Sequence, residues 1–144
     1  MERGEVNLRK IQFRGMALVA QDWVYGAYVR FRAVDNQVYD GIIMEDNEEH
    51  LMGDIYSIDP DTLGEFSGLC DKNGTKIFEG DILAGPDLSV NGVVKLMYGV
   101  WYVTSPGVRR YRYLGRIAER SEVLGNITEN PELLVCCKGV MPAI

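Results

Sequence analysis

The stretch from Phe66 to Ala84, FSGLCDKNGTKIFEGDILA, constrains the fold more than any other part of the chain, because two turn signals in it are divided by a short alternating run. At Asp71-Lys72-Asn73-Gly74 the Asn-Gly pair adopts positive φ at little steric cost, which a tight hairpin needs. Lys76-Ile77-Phe78-Glu79 then resumes a strand, Gly80-Asp81 breaks it, and Ile82-Leu83-Ala84 begins another. Asn73-Gly74 is the expected hairpin tip. No long segment elsewhere repeats apolar residues at helical spacing, whereas period-two runs recur. The expected fold is mainly β, with little helix.

Ile11 and Phe13 alternate with polar neighbours, the pattern of a first strand with one wet face. Trp23, Tyr25, Tyr28 and Phe31 change parity across Gly26-Ala27, so the segment reads as one strand bent at a bulge, or as two short ones. Ile55–Ile58 reads as a short strand ended by Asp59-Pro60-Asp61, where Pro60 fixes φ and biases Asp59 away from helix. Gly92–Tyr98 and Val100–Val103 are β-branched and aromatic and should pair across Gly99. Glu122–Ile127 reads as the last strand, followed by one helical turn with Asn130 as cap and Pro131 at the first position. A Gly-Asp-led strand, a loop and a Gly-Val-Val strand are a common opening for an SH3-like barrel, expected here to contain Asp81 to Tyr102. The 144 residues are enough for one ordinary domain, or for a barrel plus an extended appendage, and a single domain is expected. Any seam between an N-terminal β segment and the barrel is expected near residues 59–62.

Apolar content of 47% with 25% charged residues is ordinary for a globular chain and argues against a disordered adaptor. No apolar run approaches the length of a membrane helix, and no signal-peptide pattern follows Met1-Glu2-Arg3-Gly4, so the expectation is a soluble cytoplasmic protein. Three cysteines, two of them the adjacent Cys136-Cys137, make no disulfide framework. A net charge of −6 opposes non-specific binding to nucleic acid over the whole surface.

Several tetrapeptides in fixed order carry a family resemblance. Gly64-Glu65-Phe66-Ser67-Gly68-Leu69, Asp71-Lys72-Asn73-Gly74, Ile77-Phe78-Glu79-Gly80-Asp81-Ile82, Gly92-Val93-Val94 and Val123-Leu124-Gly125-Asn126-Ile127 with Glu129-Asn130-Pro131-Glu132-Leu133 resemble the motif series of the YopX family. Ile11-Gln12-Phe13-Arg14 and Trp23-Val24-Tyr25-Gly26 are similar to that family's opening segment. The resemblance spans roughly Leu8 to Leu134 and departs from the usual pattern at Cys70 and at Ala17-Leu18-Val19-Ala20. It implies a β-rich phage or prophage protein with an SH3-like barrel component and no established biochemical activity.

No catalytic constellation is visible, so the expectation is a protein that is not an enzyme and needs no metal or cofactor. Glu79 and Asp81 flank Gly80 with Asp71 nearby, and paired carboxylates suit Mg²⁺ or acid–base work. The preferred reading makes Asp71, Asn73, Gly74, Glu79, Gly80 and Asp81 a structural motif, with Asp81 accepting backbone N–H groups at a turn. On that reading Asp81→Asn costs less stability than Asp81→Ala. The acidic run Glu45 to Glu49 lacks calcium-loop spacing, and His50, the one histidine, has no companion at motif spacing.

Two binding surfaces are candidates. Trp23, Tyr25 and Tyr28 form an aromatic N-terminal set suited to a protein partner, or else fill a core. Arg109, Arg110 and Arg112 interleave with Tyr111 and Tyr113, pairing guanidinium forks for phosphate with rings for stacking. The competing reading there is a strand with its tyrosines inward and its arginines in water. The expected function is a phage accessory module that binds a host or phage protein, or a second copy of itself as an oligomer. A nucleic-acid-binding protein using residues 109–116 is the alternative.

Overall fold

A computed structural model describes residues 10–44 and 54–134. Their ten strands form two antiparallel five-stranded sheets. The first contains β1 (Phe13–Ala17), β2 (Trp23–Arg32), β3 (Val38–Met44), β4 (Ile55–Cys70) and β5 (Lys76–Phe78). Because β1 pairs with both β2 and β4, the pairings of the first four strands run in a ring, and β5 attaches to the far end of β4. The second sheet contains β6 (Asp81–Ala84), β7 (Gly92–Met97), β8 (Val100–Thr104), β9 (Arg112–Tyr113) and β10 (Glu122–Asn126) in the order β10-β6-β7-β8-β9. Its last strand therefore returns beside its first. Described helix is limited to α1 (Leu114–Ile117) and two 3₁₀ turns, Ala118–Arg120 and Pro131–Leu134. None of it is long and apolar enough to cross a membrane. The fold is mainly β, as the turn spacing implies.

The hairpin forms where expected but with a different turn. Gly74 donates to the Asp71 carbonyl at 3.0 Å and the Asp71 N–H to the Thr75 carbonyl at 2.9 Å. Only Gly74 has positive φ, at +80°, and Asn73 does not share it. A four-residue turn closing on a left-handed glycine satisfies this loop, and an Asn-Gly pair left-handed at both positions is not required. We expect Gly74→Ala to cost about 1 kcal/mol, since alanine carries the left-handed Cβ penalty. Superimposable urea transitions would contradict this.

Pro60 does not end a strand. β4 runs through it, and the register against β1 jumps from Arg14↔Gly64 to Met16↔Asp59, so the extra residues of β4 bulge out. A residue with no N–H to donate is accommodated where the ladder is already interrupted. The Thr62 hydroxyl closes the bulge, accepting from the Met16 N–H at 2.8 Å and donating to the Asp59 carbonyl. The chain passes from the first sheet to the second at Glu79-Gly80. There Gly80, with φ +91°, donates to Val94 and accepts from Ile127, both at 2.9 Å. In β2 the register is continuous past Gly26-Ala27, and the strand changes neighbour there, from β1 to β3, without a bulge.

Each sheet has its own core. Ala17, Val24, Ile42 and Ile58 fill the ring of β1 to β4. Ile77, Leu83, Val94, Val103, Leu114, Ile117 and Ala118 pack beneath the second sheet. Ile77 is decisive, because β5 is hydrogen-bonded to β4 of the first sheet yet buries this side chain in the second core. The β4–β5 hairpin thus joins the two halves through backbone on one side and apolar packing on the other. The acidic run Glu45 to Glu49, His50 and Cys136-Cys137 lie outside the described residues, and Cys70 is an exposed free thiol.

Candidate functional site

The polar side of β1 does not face water. Gln12 and Arg14 are buried while Ile11 is 66% exposed, the reverse of the wet-face expectation, because that side of the strand meets the second sheet. Arg14 Nη2 lies 2.7 Å from Asp81 Oδ1, with the two side chains 8% and 3% exposed. Asp81 Oδ2 accepts the Phe78 N–H at 2.8 Å, and Arg14 Nη2 also reaches the Glu79 carbonyl at 3.4 Å. The guanidinium sits 4.6 Å from the Trp23 ring and 4.9 Å from that of Phe78. Its Nε is buried with no hydrogen-bond partner, so these π contacts help to hold the cation. Burial pushes the Asp81 carboxyl above its ordinary range, and the Arg14 charge and Phe78 N–H offset this only in part.

Trp23 completes the same junction. Its indole N–H donates to Glu129, which also accepts from Asn126 Nδ2 at 3.2 Å. The Trp23 and Asn126 bonds hold the Glu129 carboxyl below the usual range. Asp71 supports β10 from the hairpin: one oxygen accepts the Asn73 and Thr75 N–H groups at 2.8 and 2.9 Å, the other the Val123 N–H at 2.9 Å. Burial works to raise its pKa, but these three donors and the Lys72 charge outweigh it and keep the carboxyl low. Glu79 contributes its backbone, donating to Glu65 and accepting from Arg14. Both Asp81 oxygens are occupied from within the chain, and among the described residues no group of three His, Cys, Asp or Glu side chains is placed to hold a metal ion. Asn130 turns its side chain back to the Asn126 N–H at 3.3 Å, while its carbonyl accepts from Leu133 in the 3₁₀ turn.

The other concentration of charge and rings lies on the far edge of the second sheet. Val103 is buried, so its neighbour Tyr102 points to the outer face, and the register Tyr102↔Tyr113 carries Tyr113 outward with it. Leu114 and Ile117 of α1, with Ala118, close the core beneath β8 in place of the tyrosines. The inward-tyrosine reading is thereby corrected: Tyr111 and Tyr113 are 57% and 52% exposed. Their ring centroids stand 5.6 and 5.4 Å from that of half-buried Tyr102. Arg109, Arg110, Arg112, Arg116 and Arg120 are all exposed, and the last three line a cleft with Tyr111 and Tyr113. Glu119 is the one carboxylate in that segment, so a strongly basic patch stands on an acidic chain.

Within the patch Arg116 lies 5.8 Å from the Tyr113 ring centroid. Arg120 Nε donates to Asp87 at 2.8 Å, and its Nη2 donates to the Arg116 carbonyl at 2.9 Å. The Arg120 bond keeps the Asp87 carboxyl below its ordinary range, so this acid stays ionised. Trp23, Tyr25 and Tyr28 are less available. Trp23 is held by Arg14 and Glu129, Tyr25 stands 5.5 Å from Phe78, and Tyr28 lies 6.0 Å from Phe13 with its hydroxyl donating to Asp40. Sequence reasoning missed Tyr102, Arg120 and Asp87 as members of the basic face. The one available signal was for Arg120, whose spacing of four from Arg116 places the two on one side of a helical turn.

The fold and this arrangement define a mainly β protein of two antiparallel sheets. Residues 12–135 match the YopX protein family, and the chain belongs to it. A comparison with curated proteins finds no match. Among solved structures, the crystal structure of protein EF1440 from Enterococcus faecalis is similar, with 23% identity and a TM-score of 0.51, covering 87% of this chain and 98% of that one. At that identity the likeness speaks for the fold alone.

Proposed function

We propose that this chain is a non-catalytic phage or prophage accessory protein, acting in the bacterial cytoplasm, that binds nucleic acid through the face built by β8, β9 and the helical turn after them. The observation that carries the reading is the pair of half-exposed rings, Tyr111 and Tyr113, leaning on Tyr102 and sharing a cleft with Arg112, Arg116 and Arg120. Exposed aromatic rings grouped in a patch mark an interaction surface, and guanidinium groups beside them suit a polyanion with flat bases. The reading includes an SH3-like barrel. It is supported by a five-stranded order in which the last strand lies beside the first, with a 3₁₀ turn just before that last strand.

A second reading, binding of a protein partner or of a second copy, is supported by the outer position of β9, a two-residue strand with one neighbour in its sheet. A gel shift at low and high salt separates the two. Nucleic-acid binding gives a shift at low salt that weakens steeply, by roughly 0.7 in log K per log salt for each phosphate contacted on a single strand. Arg109→Glu with Arg110→Glu should abolish it while leaving the melting transition in place, since both side chains are exposed. Absence of any low-salt shift for the wild type would transfer preference to the protein-binding reading.

A further inference from the structure

We infer that the cleft beside Tyr113 receives one nucleotide unit, the base against the tyrosine rings and the phosphate among the arginines, so that the chain prefers single-stranded nucleic acid to duplex. This rests on the nucleic-acid reading above and adds to it a site and a substrate class.

The cleft has a volume of about 270 Å³ and is walled by Tyr111, Arg112, Tyr113, Arg116, Arg120 and Asp87. Sites for drug-sized ligands usually measure roughly 300–1,000 Å³, so this one suits a single nucleotide and not a longer segment. Its charge is unbalanced. Three guanidinium groups face one carboxylate, and that carboxylate is already bound to Arg120 at 2.8 Å, which leaves Arg112 and Arg116 to attract an anion. A phosphate group meets that charge, with guanidinium as its geometrically matched partner.

The rings argue for the base. Tyr113 keeps about half its surface in water although Tyr102 supports it and Arg116 stands 5.8 Å from its centroid. Tyr111 forms the boundary between this cleft and a neighbouring one of about 190 Å³, lined mainly by apolar side chains such as Met97, Pro106 and Val108, with Lys95 as its one cation. A strand laid across Tyr111 keeps its backbone near cations in both clefts. A paired base in a duplex presents no face to such a ring, whereas an unpaired base does.

Arg120 is held ready. Its bonds to Asp87 and to the Arg116 carbonyl fix the guanidinium at the cleft wall, and fixing a long side chain beforehand lowers the entropy cost of binding. Asp87 acts through Arg120 as a positioning residue.

The test is fluorescence anisotropy with an end-labelled oligothymidylate, a duplex of the same length, and unlabelled thymidine monophosphate as competitor, on the full chain. The single strand should bind at least about tenfold more tightly than the duplex. Tyr113→Ala should weaken single-strand binding by about tenfold or more with its salt slope unchanged, while Tyr113→Phe, which keeps the ring, stays near wild type. Arg112→Gln with Arg116→Gln should flatten the salt slope. Competition by the free monophosphate marks the cleft as a site for a lone nucleotide, and competition by oligomer alone marks it as a site for a strand unit; both uphold the inference. Equal affinity for single strand and duplex, with Tyr113→Ala without effect, overturns the cleft but leaves backbone binding by the face standing. No binding to either overturns both.

Discussion

Arg14→Met and Asp81→Leu, made singly, are each expected to destabilise the protein by about 3–5 kcal/mol, and the double variant by much less than their sum. Removing one member of a buried pair leaves the other as an uncompensated charge, whereas removing both leaves an apolar contact. The setting is severe, since both side chains are nearly inaccessible and the pair ties β1 of one sheet to β6 of the other. A loss of this size moves the urea midpoint by about 1 M or more. Equal and additive losses in a double-mutant cycle would show that Arg14 and Asp81 contribute independently, and the account of the junction would fail.

The same pair narrows the difference expected from sequence, that Asp81→Asn costs less stability than Asp81→Ala. Asparagine keeps an acceptor for the Phe78 N–H, but its amide offers Arg14 no charge and can turn a donor toward it. Both variants should therefore fall close together. Acid supplies a further check. Burial raises the folded pKa of Asp81, so its titration contributes stability that is present below the unfolded value near pH 4 and lost as pH rises through the folded value. Taking away the Arg14 charge raises that pKa further. The deficit of Arg14→Met at neutral pH should then shrink as pH is lowered toward about 4.

Asp71 carries the second large effect, with the opposite pH sign. Asp71→Ala strands the N–H groups of Asn73, Thr75 and Val123 and is expected to cost on the order of 3 kcal/mol. Asp71→Asn should cost less, because one amide oxygen still serves the two hairpin donors while the NH₂ confronts Val123. The folded pKa is lowered, so the stability from this carboxylate is present above the unfolded value near pH 4 and is lost as pH falls through the folded one. Wild type should thus lose stability more steeply than Asp71→Asn below about pH 4. Parallel stability–pH curves for the two would remove Asp71 as the hairpin's anchor.

These residues mark the limit of what was legible in the chain. The Asp71 hairpin was readable because its partners Asn73 and Thr75 are two and four residues away, and local chemistry determines that bond pattern. Its third partner, Val123, is 52 residues on and left no local trace. Arg14 shows the same limit more sharply: alternation placed it on a wet face, which is the correct inference for a strand against solvent. A second sheet occupies that side. Trp23 and Glu129 lie 106 positions apart, and nothing near either residue announces the other.

The basic face followed a similar division. Sequence by itself determined that Tyr111 and Tyr113 share a parity, that arginines surround them, and that the chain is β-rich with a hairpin at Gly74, because period and turn chemistry are properties of neighbouring residues. It could not determine which side of the sheet the tyrosines face. Tertiary structure decided that when Leu114 and Ile117 took the core positions beneath β8 and the register set Tyr113 opposite outward-facing Tyr102. Parity divides a strand's residues into two sets, but only the packing of the remaining chain makes one set the interior.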